Sequence, residues 1–349
     1  MKTSAVVTEY RELEAHVLAA LREDLRAEEF DALALAAHAF QKRWNAPYAK
    51  FCATRPAATV WREVPAVPQS AFKTARLSCF PPEATPVTFR TSGTTGEGYG
   101  EHHFADTQLY DAAAVRGWRR LGLPRLPYVV LAPAAEAAPH SSLSHMLTVL
   151  ATRRSTGETH FLPPKDGATD PALRRLLWQV SADGTPVGLL GTALAFVQLL
   201  ENRECRHFKL PPGSFALETG GYKGSGREIP KAELYALFAE HLDLPPDAVL
   251  NEYGMTELSS QCYTRGLGGV HEGPPWLRAI VIDPETGAEA AVGATGVLRI
   301  FDLANLGSVL AVETQDLAVR REHGFELLGR DPAALPRGCS RAVDERPRG

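Results

Sequence analysis

Cysteine is scarce in this chain and odd in number: five residues, at positions 52, 79, 205, 262 and 339, none of them spaced as Cys-x-x-Cys. That pattern fits neither a closed disulfide framework nor a zinc ribbon, and leaves reduced thiols, one of which is a candidate nucleophile. An excess of one charge is also missing. Lys and Arg number 37 against 41 Asp and Glu, a formal net charge of −4, with no long run of either sign, so nothing draws the chain toward nucleic acid or an anionic membrane. No stretch approaches the roughly 18 consecutive apolar residues of a membrane span. The opening residues, MKTSAVVTEYRELEAH, meet acidic side chains before an apolar segment of signal-peptide length, and a cytoplasmic protein is expected. Three familiar catalytic signatures are absent. Glu97 and Gly98 stand where a nucleotide-kinase P-loop needs Lys and then Ser or Thr, and neither G-x-S-x-G nor H-E-x-x-H occurs, which disfavours kinases and GTPases, elbow-type serine hydrolases and zincins.

What is present is 349 residues with 44% hydrophobic content, enough for one large or two medium domains around a sizeable core. Leu13, Val17, Leu21 and Leu25 repeat at helical spacing, as do Phe30, Leu33, Ala37 and Phe40, and then closely spaced prolines from Pro47 to Pro86 read as an extended connector. PVTFRT (86–91), YVVLAP (128–133), VGLLGT (187–192) and FALETGG (215–221) are short apolar runs ending in loop residues. Helical patterns near 106–121, 141–152, 171–180 and 192–202 separate them, the rhythm of an α/β sheet. After Gly266 the texture is strand and turn. The expected organisation is a helical lead-in and connector over 1–85, an α/β core over 86–266, a β-rich subdomain over 267–331, and a mobile tail over 332–349.

Three clusters point to chemistry. Thr91-Ser92-Gly93-Thr94-Thr95-Gly96 follows a predicted strand. Its glycines let backbone N–H groups turn inward around an anion and its hydroxyls add donors, although a polar hairpin turn uses the same residues. Asn251-Glu252-Tyr253-Gly254-Met255-Thr256-Glu257 follows a second strand, and an adjacent hydroxyl and carboxylate suit a phosphate and a Mg²⁺ ion, or simply a capped helix start. Thr314-Gln315-Asp316-Leu317, with Gly329-Arg330 beyond it, offers an acceptor and a donor for ribose hydroxyls, or a surface ion pair.

In this order the three clusters resemble the adenylate-forming superfamily of acyl-CoA synthetases, luciferases and nonribosomal adenylation domains. VPQSAFKT (67–74), PHSSLSHM (139–146), LLGTALAFVQLL (189–200), ETGGYKGSGRE (218–228), NEYGMTELSSQCY (251–263) and RGCS (337–340) are similar to the acyl-protein synthetases of bacterial bioluminescence, the LuxE family. The resemblance implies an α/β adenylate-forming large domain with a β-rich C-terminal subdomain and without the usual lid domain. It implies ATP and Mg²⁺ as cofactors, a carboxylic (fatty) acid as substrate, acyl-AMP as intermediate, and Cys339 as acyl acceptor before delivery to a reductase or carrier protein. Thr91 to Gly96 would hold phosphates, Gly220 and Gly221 would admit adenine against the backbone, and Tyr253 and Gly254 would flank it. Thr256 and Glu257 would serve phosphate and metal, Asp316 and Arg330 the ribose, and Gly191, Thr192 and Phe196 an acyl slot. Related ligases place a Lys after the glycine-rich loop and another in the lid; here Lys223 and Arg90 are the candidates for that charge. A CoA ligase acting on free CoA and a non-catalytic nucleotide- or partner-binding protein are the competing readings.

Overall fold

The computed structural model describes residues 2–91, 98–163, 170–202, 208–220 and 229–330. The chain opens with three helices, α1 (Lys2–Ala20), α2 (Ala27–Trp44) and α3 (Ala46–Cys52). Asn45 starts α3 by accepting the Tyr48 N–H at 3.1 Å through its side chain, with Pro47 in the first turn, the usual chemistry of a helix start. The stretch read as an extended connector contains a two-residue strand, β1 (Val67–Pro68), and one helical turn, α4 (Ala71–Thr74). A hairpin of β2 (Val87–Arg90) and β3 (Glu101–Phe104) follows, with Arg90 opposite Glu101.

The next elements are α5 (Gln108–Arg120), β4 (Tyr128–Leu131), α6 (Ser142–Arg154), β5 (His160–Phe161), α7 (Pro171–Asp183), β6 (Gly188–Thr192) and α8 (Ala193–Glu201). They continue through β7 (Phe215–Thr219), α9 (Lys231–Leu242), β8 (Val249–Tyr253) and β9 (Cys262–Arg265). The strands form one six-stranded sheet in the order β5-β4-β6-β7-β8-β9, parallel except for β9. Alternation along each strand sends side chains to two separate cores. Tyr128, Val130, Leu190, Phe215 and Leu217 pack under α5 and α6 with Trp118 and Leu147. Val129, Leu189, Ala216 and Val249 pack under α7, α8 and α9 with Leu177, Phe196 and Phe238. Burial on both faces is why these strands read as continuous apolar runs. Gly191 sits where a Cβ would lie 2.8 Å from Leu131 Cβ, so any larger residue would push β4 and β6 apart.

β10 (Leu277–Ile282), β11 (Thr295–Asp302), β12 (Ala311–Arg320) and β13 (Phe325–Arg330) make the β-rich region. β12 is central: β11 lies along one edge, while β1 and then β13 share the other, Val67 pairing with Val312 and Asp316 with Arg330. The N-terminal helices are bolted to this sheet. Phe30, Phe40 and Trp61 share a core with Trp276, Phe301 and Leu310. Buried Gln41 donates to the carbonyls of Asn305 and Leu306, each at 3.1 Å, and accepts the Leu310 N–H at 2.8 Å. No described helix is long and apolar enough to cross a membrane.

Candidate active site

Among the described residues, several candidates lie at the carboxyl ends of the parallel strands, where open α/β sheets place their ligands. β6 ends at Thr192, β7 at Thr219 with Gly220 beyond it, and β8 at Tyr253. Gly220 is exposed and left-handed (φ 67°). The segment 254–257 then runs from β8 toward both the β2–β3 hairpin and the β-rich sheet.

Tyr253 donates its phenol proton to Asp316 Oδ2 at 2.8 Å across 63 residues of sequence. Its ring is buried and edge-on to Phe325, centroids 5.4 Å apart. Burial first, and then the charge of Asp316, raises the phenol well above its ordinary value, so it stays a donor. Asp316 is presented by a local irregularity. Between β11 and β12 the register passes from Val297↔Leu317 to Arg299↔Glu313, setting Thr314, Gln315 and Asp316 against Leu298 alone. Thr314 Oγ1 restores the interrupted ladder by donating to the Leu298 carbonyl at 2.8 Å and accepting the Asp316 N–H at 3.1 Å. Such a bulge re-aims a side chain next to a site. Arg330, exposed at the end of β13, is the cross-strand neighbour of Asp316.

Thr256 touches the root of the glycine-rich loop. Its Oγ1 lies 3.5 Å from the Arg90 carbonyl and 3.4 Å from Ser142 Oγ, and its own carbonyl accepts from His102 Nδ1 at 2.9 Å. His102 is buried and its pKa falls to about 4, burial being the main cause; it is a neutral donor that fixes the Thr256 backbone. Thr91 closes the neck of the loop, donating its backbone N–H to the Gly100 carbonyl at 2.9 Å and accepting the Gly100 N–H through Oγ1 at 2.8 Å. Ser92 to Gly96, Gly221, Lys223 and Cys339 lie outside the described residues. Arg90 is already engaged by Glu101, Nε to Oε1 3.0 Å.

Glu257 is buried at 3% exposure, and its Oε1 accepts from Gln69 Nε2 at 3.1 Å. The residues behind it are tied down tightly. Asn305 Nδ2 donates to the Glu257 carbonyl at 2.9 Å, and Asp302 Oδ2 accepts the N–H groups of Ser259 (3.0 Å) and Ser260 (2.8 Å). The β-rich sheet thereby holds the Thr-Glu pair in place. Among the described residues no three His, Cys, Asp or Glu side chains converge as a metal cage. Glu257 as a single protein carboxylate fits a Mg²⁺ ion that takes its remaining ligands from water and nucleotide phosphates.

Beneath the site lies a buried polar layer absent from the sequence reading. The β7–β8 register sets Glu218 beside Asn251 and Thr219 beside Glu252. Asn251 Nδ2 donates to Glu218 Oε1 at 2.6 Å, Tyr235 donates to the same oxygen at 3.3 Å, and Thr219 donates to Glu252 Oε2. Burial raises both carboxyls to about 7, partly offset by these bonds. At Gly254 a Cβ would fall 2.2 Å from Glu252 Oε1, so a larger residue would displace that carboxyl group. The detectable signal was a lone carboxylate inside each of two apolar parallel strands, FALET and VLNEY.

The folded state therefore holds protons that the unfolded chain, with carboxyls near 4.5, releases. This contribution to stability is full below pH 4.5 and is lost as pH rises through about 7, by up to about 3 kcal/mol per group. Glu252→Gln is expected to flatten that decline, read as urea midpoints at about pH 5 and about pH 7.5; an unchanged slope would mean that Glu252 is ionised throughout.

One of the three acyl-slot expectations is revised by the packing. Phe196 is fully buried against Phe238, centroids 4.8 Å apart, and is committed to the core rather than to an acyl slot. Thr192 caps α8, accepting the Ala195 N–H at 3.1 Å, and Gly191 abuts Leu131. Cys262, one of the five thiols open as a nucleophile from the sequence, is buried on β9 with its pKa pushed up by burial.

The sequence matches no family model and no curated protein. Among solved structures the fold is similar to ATP-bound MatB from Rhodopseudomonas palustris, with TM-score 0.51, 20% identity, and coverage of 70% of this chain and 48% of that one. It is similar to 2-hydroxyisobutyryl-CoA ligase in complex with 2-HIB-AMP and CoA, with TM-score 0.62, 17% identity, and coverage of 88% and 76%. It is also similar to McyG A-PCP complexed with phenylalanyl-adenylate, with TM-score 0.51, 16% identity, and coverage of 72% and 48%. The α/β architecture with a β-rich C-terminal part is shared with these structures, and the chain spans about half the length of MatB.

Proposed function

We propose that this protein joins a carboxylic acid to AMP at the expense of ATP and passes the acyl group to a thiol. The carboxylate attacks the α-phosphorus and pyrophosphate leaves; a thiolate then attacks the acyl carbonyl and AMP leaves. The observation that carries the reading is convergence. Tyr253 meets Asp316, and Thr256 meets Arg90 at the root of the loop, although these pairs are 63 and 166 residues apart. The segment 253–257 thus meets both the turn that carries Asp316 and the neck of the glycine-rich loop, which supports a site for the base, ribose and phosphates of one nucleotide. The ligands named in the three similar structures, ATP, 2-HIB-AMP and phenylalanyl-adenylate, support the same class of chemistry.

In this reading Asp316 accepts ribose hydroxyls, with Arg330 beside it, and adenine lies against Gly220 and Gly221 next to Tyr253 and Gly254. Thr256 and residues 91–96 bind phosphate, Lys223 adds charge, and Glu257 holds Mg²⁺, which supplies charge neutralisation when bound. The acid enters near Gly191 and Thr192. Cys339 is the proposed acceptor, with a reductase or carrier protein as final recipient. Free CoA as acceptor is the competing form, favoured by the CoA bound to 2-hydroxyisobutyryl-CoA ligase.

The test is acid-dependent release of pyrophosphate from ATP. We expect release to require Mg²⁺, and Glu257→Gln, which keeps size and removes charge, to raise the Mg²⁺ concentration needed for half-maximal rate about tenfold. Release that ignores added acids, or a variant that titrates with Mg²⁺ like the parent, counts against the assignment.

A further inference from the structure

A cavity of about 310 Å³ opens where β10, the turn after β12 and the start of α2 meet, and none of the residues assigned to the nucleotide lines it. Its walls carry four arginines, Arg62, Arg278, Arg320 and Arg321, against two carboxylates, Glu289 and Glu322. Three guanidiniums have acidic partners. Arg320 Nη2 lies 3.0 Å from Glu289 Oε1, Arg321 pairs with Glu326, and Arg62 Nε is 3.7 Å from Glu289 Oε2. Glu289 is therefore shared between two arginines.

Arg278 differs from the other three. Among the described residues no carboxylate lies within ion-pair distance of it; its guanidinium rests over the Phe30 ring, Cζ 4.7 Å from the centroid, while Arg62 covers Trp61 in the same way at 4.3 Å. Partial burial, and then the nearby charge of Arg62, pushes the Arg278 pKa down. A guanidinium nevertheless keeps its proton, and a partly buried charge without a counter-ion is costly. Stacking on aromatic rings holds both planar groups in fixed orientations, which lowers the entropy lost when a ligand arrives. With Glu326 counted against Arg321, the cavity keeps one positive charge in excess, centred on Arg278, and the three terminal oxygens of a phosphate group can accept from its guanidinium fork and from that of Arg62. The volume lies at the small end of ligand pockets.

We propose that this cavity binds a small phosphate-bearing anion, a phosphomonoester or a diphosphate, through Arg278 and Arg62, at a site separate from the nucleotide site. This goes beyond the adenylation reading and does not depend on it.

The experiment is a calorimetric titration of the full chain with inorganic phosphate, at ionic strength held constant with chloride. We expect saturable binding that weakens at least tenfold in Arg278→Gln and in Arg62→Gln, and that survives in Arg119→Gln, a surface control on α5. Arg62 is more than half exposed, so its variant tests the site even if Arg278→Gln folds poorly. Competition by inorganic pyrophosphate and by adenosine 3′,5′-bisphosphate then separates a diphosphate source from a phosphomonoester one; stronger displacement by either supports the proposal and names the source. Absence of saturable binding, or equal affinity in the parent and both cavity variants, overturns it.

Discussion

Asp316→Ala is expected to abolish measurable acyl-AMP formation, with a loss of a hundredfold or more. A carboxylate that accepts from ribose hydroxyls makes charge-assisted hydrogen bonds, each contributing about 1.5 to 3 kcal/mol, so losing two of them costs about 3 kcal/mol or more in the nucleotide complex. The same substitution also strips the buried Tyr253 phenol of its acceptor at 2.8 Å, leaving an unsatisfied donor that destabilises the fold by about 1 to 3 kcal/mol. Asp316→Asn separates the two effects. The amide oxygen still accepts from Tyr253, so the thermal midpoint should stay near that of the parent while KM for ATP rises. If Asp316→Asn turns over ATP like the parent, the carboxylate serves only to hold Tyr253, and the ribose must be bound elsewhere.

Cys339→Ser is expected to remove all hydroxylamine-sensitive acyl label from the protein while leaving acyl-AMP formation intact. Of the five cysteines, Cys52, Cys79 and Cys262 are buried, and burial raises each thiol above its ordinary value. A thiolate is the attacking species, so these three are poor nucleophiles with no open approach. Cys205 and Cys339 remain, both outside the described residues. Cys339 stands between Arg337 and Arg341, cations that favour the thiolate, and it lies nine positions beyond Arg330, a reach of about 30 Å when extended. A labelled Cys339→Ser protein would move the acceptor to Cys205, and a parent that never carries label but makes acyl-CoA would favour free CoA.

The strands of the parallel sheet were legible through one physical property: burial on both faces. YVVL, GLLGT and FALET read as strands because every position meets a core, so the apolar run shows without its partner. Strand β3, EHHF, and strand β9, CYTR, carry polar residues that interrupt any apolar run, and His102 of β3 donates to Thr256, far along the chain. Nothing local marks them. The motif positions of the site were visible for a similar reason, since Gly254, Thr256, Glu257 and Asp316 each break the expected pattern of their surroundings. Their supports were not. Gln69 reaches Glu257 over 188 residues, and Asp302 and Asn305 grip the segment after it, contacts that only the topology of the two sheets brings about. Phe196 shows the converse error: an aromatic near a predicted ligand slot proved to be ordinary core packing.

The most direct test of the adenylation reading is exchange of labelled pyrophosphate into ATP by the purified protein, with Mg²⁺, without CoA, across aliphatic and aryl carboxylic acids. Exchange reports reversible acyl-AMP formation and needs no acceptor, so it is blind to whether Cys339 or CoA takes the acyl group. We expect at least one acid to drive exchange in the parent and in Cys339→Ser alike, and none to do so in Asp316→Ala. A protein that binds ATP but exchanges no pyrophosphate with any acid would be a nucleotide-binding module, and the account of this site as an adenylating centre would be wrong.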